Sequence, residues 1–83
     1  MYLVYILYSP SRNKYYVGSA SEIAERLRRH NTNHSGFTGK ALDWELKHTE
    51  EFTDKAAALK RERQIKSWKS RVKIEGLIKS LDN

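Results

Sequence analysis

The sequence predicts an α+β fold: a small three-stranded, mainly antiparallel sheet flanked by helices, in the order β-β-α-β-α-α. Three observations predict it. Two strand-like runs stand close together at the N-terminus, one alternating segment lies mid-chain, and helical patterns precede and follow that segment. Eighty-three residues are enough for one domain, expected over residues 1–83. A domain of this size buries only about 60% of its unfolded surface, so the core must be compact.

Each element has its own signal. Tyr2 to Tyr8 mixes β-branched, leucine and tyrosine residues and reads as a buried strand. Ser9 to Lys14, with Pro10 and Asn13, reads as a turn, and Tyr15 to Ser19 as the second arm of a hairpin. Gly18 near the end of that arm marks a close backbone approach. Ser19 and Glu22 fit a capping box for the first helix, with Ser21 as the alternative cap. That helix runs to about His30 and turns Ile23 and Leu27 inward. Asn31 to Lys40, with Gly36 and Gly39, reads as an exposed loop.

The third strand is expected from Leu42 to Thr49. Leu42, Trp44, Leu46 and His48 share the inner parity, and Asp43, Glu45, Lys47 and Thr49 the outer one. Thr53 or Asp54 caps a second helix to about Lys66. Ile74, Leu77, Ile78 and Leu81 form the apolar face of a last helix that starts near Ser70.

Composition narrows the function classes. With no cysteine there is neither a disulfide framework nor a thiolate metal site, which fits a reducing compartment. The longest apolar run, Leu3 to Leu7, is far below the ~18 residues of a membrane span. No basic segment precedes an apolar stretch, so no signal peptide is expected and a cytoplasmic protein is. The net charge of +6 is concentrated between Lys60 and Lys73, where seven basic residues meet one acid, Glu62. Such a window suits a polyanion partner, since each neutralised phosphate releases counterions; a solvated helix face is the plainer reading.

Two side-chain placements carry chemistry. Glu62 lies four residues after Ala58 and three before Ile65, inside the apolar stripe of its helix. An acid there is either ion-paired to a neighbouring Arg or Lys, or a metal ligand or general acid/base facing a cleft. Arg26 and His30 are four apart on the first helix and share a stripe. An arginine matches phosphate geometry, and a histidine moves protons near neutral pH.

The pairs Val4-Tyr5-Ile6 and Tyr16-Val17-Gly18 resemble the double motif of the GIY-YIG nuclease superfamily. Arg26 stands ten residues after Tyr16, the spacing of that family's essential arginine. Arg26-Leu27-Arg28-Arg29-His30-Asn31 resembles the RLxxHN segment of its small stand-alone bacterial members, and Ala58 to Lys66 resembles the EALxxExxIK helix, with Glu62 at the metal-binding glutamate. The resemblance extends through Trp68-Lys69-Ser70-Arg71 to the final helix, and so covers nearly the whole chain. There are departures. Val4 stands for the first glycine, Ser19 for the lysine of the excision-repair relatives, Ala57 for the first glutamate of EALxxE, and Asp43 where relatives often carry proline.

The resemblance implies a DNA endonuclease with one Mg²⁺ or Mn²⁺ ion held by Glu62. It implies Arg26 as the phosphate clamp and Tyr5 as general base, its phenolate favoured by the metal and by Arg26. Tyr16 orients water or phosphate, His30 relays the proton, and Gly18 admits the backbone to the site. Arg28, Arg29, Lys66, Lys69, Arg71 and Lys73 are the expected nucleic-acid contacts. His34 and His48 are expected outside the site, and Trp44 and Trp68 in the core. Characterised relatives carry separate DNA-binding domains, so a non-catalytic nucleic-acid binder, or a module docked on a protein partner that supplies targeting, is the competing expectation.

Overall fold

A computed structural model describes residues 1–32 and 41–80. The expected loop from position 33 to 40, with His34, and the expected inward residue Leu81 lie outside the described residues. The elements are β1 (Tyr2–Ser9), β2 (Lys14–Ala20), α1 (Ile23–His30), β3 (Glu45–Phe52), α2 (Lys55–Ser67) and α3 (Arg71–Ser80). The expected order is therefore observed. The sheet is antiparallel throughout, in the order β2-β1-β3.

Because β1 is central, its apolar run is buried on both faces: Val4, Tyr5, Ile6 and Leu7 are all at most 1% exposed. One face packs Val4, Ile6 and Val17 against Ala58 and Ile65 of α2, with Ile74, Leu77 and Ile78 of α3 closing over them. The other packs Tyr5, Leu7 and Ala20 against Trp44, with Ile23 and Leu27 of α1. The sheet is thus sandwiched, and β2 is left as an edge strand that both layers can reach around.

The hairpin turn is fastened by polar side chains. Asn13 takes the left-handed conformation (φ 53°) that asparagine tolerates, and accepts a hydrogen bond from the Tyr8 hydroxyl at 2.7 Å. Asp43 accepts from Ser9 Oγ (2.6 Å) and from the Ser11 backbone N–H (2.8 Å). Those bonds draw Asp43 to the turn. Asn31 meanwhile bonds both backbone groups of Trp44, at 2.7 and 3.0 Å.

These attachments correct the expected third strand. Residues 42–44 are taken up by the turn and by Asn31, and the ladder begins only at Glu45. A bulge follows: Ile6 pairs with His48 but Leu7 with Leu46, so Lys47 is the extra residue. The bulge breaks the parity that put Leu42, Trp44, Leu46 and His48 on one side. Trp44 and His48 are buried, whereas Leu42 and Leu46 are 61% and 39% exposed. His48 instead meets Glu50 at 2.9 Å, and Glu50 also receives Arg61 Nε at 2.7 Å. This His48–Glu50–Arg61 cluster ties β3 to α2, on the side of the sheet away from β2.

The capping box is also corrected. Ser19 belongs to β2, and Glu22 at the N-cap of α1 makes no side-chain cap bond. Asp54 does cap α2, accepting from the Ala57 N–H at 2.7 Å. After α2, Lys69 turns the chain with φ 48°. A β-carbon in that conformation costs on the order of 1 kcal/mol, and glycine is the usual residue just past a helix end.

Candidate functional site at the edge strand

Gly18 organises the site. In the β1–β2 register it faces Tyr5, and a β-carbon built on it would lie 2.6 Å from the Tyr5 hydroxyl oxygen and 3.1 Å from Tyr16 Cε2. Only a bare backbone lets the Tyr5 ring lie across the strand. Its hydroxyl meets His30 Nε2 at 2.8 Å. The Tyr16 ring packs on His30 at 4.8 Å between centroids and lies 6.3 Å from Tyr5. A helix residue and two strand tyrosines thus form one aromatic cluster on the α1 side of β2.

Glu62 approaches from the opposite layer. Ser19 pairs with Val4 and so points to the α2 side, where its hydroxyl donates to Glu62 Oε1 at 2.6 Å. Lys66, one turn further along α2, donates to Oε2 at 2.6 Å. The Lys66 ammonium is also 5.9 Å from the Tyr16 ring centre, which links the acid to the aromatic cluster around the strand edge. Arg26 extends from α1 toward the same edge. It lines a cleft of about 360 Å³ with Arg29, His30 and Thr32, and a smaller one of about 150 Å³ that reaches Ser19 and Lys55.

The electrostatics couple the two layers. Burial raises the Tyr5 phenol well above its ordinary value of 10.0; Tyr16 and Glu62 push the same way, and only Arg26 pulls it down. Arg26 does favour phenolate, as expected, but burial outweighs it. Tyr5 is therefore a neutral phenol near pH 7, and it donates to His30 when Nε2 carries no proton. Burial also works against the charged form of Glu62, yet the bonds from Lys66 and Ser19 and the charges of Lys66 and Arg63 bring its carboxyl below the ordinary value.

Tyr5 makes alkaline stability a test of this arrangement. Above about pH 10 the unfolded chain releases the phenolic proton while the folded chain keeps it, so stability falls as pH rises. Tyr5→Phe loses the His30 bond, costing about 1 kcal/mol at neutral pH. The gap between the two proteins is expected to narrow above pH 10 in urea titrations.

Of the two readings of Glu62, the structure contains the ion pair. The Lys66 side chain is 49% exposed and the Glu62 side chain 17% exposed, so the acid is not sealed. The described residues contain no cluster of three or more His, Cys, Asp or Glu side chains able to hold a metal ion. A cation here would rest on one carboxylate. Ser19 is the residue that sequence reasoning misplaced: read as a helix cap, it is the strand hydroxyl that aims Glu62. Its signal was the facing of Val4 across the hairpin, which the register alone reveals.

The expected nucleic-acid contacts divide. Arg29 shares the cleft with Arg26, and Lys66 and Lys69 line a groove beside β2. Arg28 is held by Glu25 at 2.8 Å on the exposed side of α1. Arg71 is bound to the Asn13 carbonyl (2.8 Å) and to Glu75 (3.2 Å), and Lys73 is exposed on α3. Trp68 carries the Arg61 guanidinium over its ring at 5.5 Å and packs at the core margin. Among the described residues no helix is long and apolar enough to cross a membrane.

A family model described as the GIY-YIG catalytic domain matches residues 1–75. Neither a curated protein nor a solved structure matches the chain.

Proposed function

The chain belongs to the GIY-YIG catalytic domain family of nucleases, and on that footing we propose that it is a metal-dependent endonuclease hydrolysing phosphodiester bonds in DNA. One observation carries the reading. A hydrogen-bonded Tyr5–His30 pair from one layer and the Glu62 carboxylate from the other reach the same edge strand, with Arg26 beside them.

The donor set suits magnesium, which keeps most of its waters and needs few carboxylates. Glu62 already accepts a cation, the Lys66 ammonium, on Oε2, and that lysine is exposed enough to leave. Glu62 would hold the ion, which when bound supplies a Lewis acid to the phosphate and to the departing oxygen. Ser19 fixes the rotamer of Glu62 by occupying Oε1. Arg26 clamps a non-bridging phosphate oxygen and offsets the charge that builds there.

Proton removal from the attacking water falls to Tyr5 and His30 as a unit. A neutral phenol is a poor base. It can accept the water proton only while it passes its own to His30 Nε2, 2.8 Å away. Tyr16, packed on the imidazole, keeps that nitrogen aimed. Gly18 keeps the Tyr5 hydroxyl at the edge.

Supercoiled plasmid tests the reading. The protein is expected to nick it in Mg²⁺ or Mn²⁺ and to stop on addition of EDTA, with activity restored by excess Mg²⁺. Nicking that persists in EDTA contradicts the proposal.

A further inference from the structure

A groove with no role in the steps above runs along the open side of β2. Its inner part, about 320 Å³, adjoins Tyr16 and Lys66 of the candidate site. Its outer part, about 440 Å³, continues past Asn13 to Arg71. The two share Tyr15, Lys69 and Ile74, so they are one channel leading away from the site. From Lys14 to Gly18 the strand advances roughly 13 Å.

The walls differ from those of a surface that only holds phosphates. The accessible floor is apolar, formed by Ile74 and the flanks of Tyr15 and Tyr16 over the buried Val17 and Ile65, and the rim carries Lys66 and Lys69. Arg71 lies over the Tyr15 ring at 5.2 Å and pairs with Glu75, the acid that also accepts the Tyr15 hydroxyl bond. The Glu75 carboxylate beside the channel is thus matched by its own cation. Lys69 adds an independent sign: it is a lysine held at φ 48°, a position that favours glycine, with its charge on the groove rim.

Given the phosphodiesterase reading above, we infer that this groove holds an unpaired nucleotide strand adjoining the scissile phosphate. A duplex shows its phosphates and keeps its bases inside, so it would use the lysines and leave the apolar floor uncovered. Bases of a single strand expose flat apolar faces, and channels that combine cations with aromatic walls take them with little regard to sequence. The preferred substrate is therefore DNA with a single-stranded segment at the cut, such as a tail, flap or gap.

Lys69→Gly separates this role from folding. It removes the ammonium and relieves the left-handed backbone, so its melting temperature is expected to match or exceed that of the parent. Binding is measured in EDTA with three fluorescent DNAs: a blunt duplex, the same duplex with a single-stranded tail, and the tail alone. The parent is expected to bind the tailed duplex at least about fivefold more tightly than the blunt one, the lower end for one stacked base. Lys69→Gly, and Lys69→Gly combined with Lys14→Ala, should weaken the tailed duplex by a larger factor than the blunt one and so lose that preference. Equal parent affinity for blunt and tailed duplex, weakening of both by the same factor in Lys69→Gly, or no binding of any of the three overturns the inference. Cleavage with the Glu62→Ala control is scored separately. Cutting that survives Glu62→Ala rejects the metal mechanism and leaves the tail preference standing on the binding data.

Discussion

Glu62→Gln is expected to lose plasmid nicking by at least about 10²-fold, the scale seen when a single charge-stabilising group is removed from an active site. Glutamine keeps the size of the side chain, and its carbonyl can still accept the Ser19 bond. It loses the negative charge that balances Lys66 and, in the proposed mechanism, the ion. The cost to folding should be small, because the Lys66 side chain is half exposed and such pairs contribute about 0–1 kcal/mol. Urea denaturation should therefore give nearly coincident curves while nicking disappears. Substantial nicking by Glu62→Gln contradicts the role given to the acid.

Gly18→Ala is expected to damage both stability and activity. The new methyl would sit 2.6 Å from the Tyr5 hydroxyl oxygen and 2.7 Å from its Cζ, too close for any real contact. Tyr5 cannot swing away, since it is 1% exposed and its hydroxyl is bonded to His30. Either the ring tilts and gives up that bond or the edge strand shifts outward. Overpacking of this kind costs about 1–3 kcal/mol. Because Tyr5 Oη leaves the edge in either case, nicking should fall at least about tenfold, as expected when a proton-transfer group is misplaced. Unchanged stability and unchanged nicking would mean that the Tyr5 hydroxyl does not depend on the bare backbone at Gly18.

The elements whose signals are local were legible in the sequence. β1 and β2 followed from the hairpin pattern, α2 from its aspartate cap, and α3 from its apolar spacing. The placement of Glu62 inside an apolar stripe was legible too, since helical periodicity alone put it there. What escaped was set by contacts distant in sequence. The third strand starts late because Asp43 is bound 32 residues away at Ser11 and Trp44 is bound by Asn31. The bulge at Lys47 then turns Leu46 and His48 to opposite faces, which alternation had assigned to one. Ser19 looked like a cap because a serine three residues before a glutamate has that form, and only the ladder shows its hydroxyl turned toward α2. The pull of Arg26 on Tyr5 can be read from spacing, whereas the burial that opposes it belongs to the packed sheet.

The central claim is that the two layers act on one phosphate across the edge of β2. Crystals of the protein soaked with Mn²⁺ and a short oligonucleotide, examined by anomalous scattering, test it most directly. The expected result is a manganese peak at the Glu62 carboxylate, Lys66 displaced from Oε2, and a phosphate within reach of both Arg26 and the Tyr5 hydroxyl. Lys66 still bound to Glu62 with no ion beside it, and the phosphate lodged elsewhere, would contradict the account.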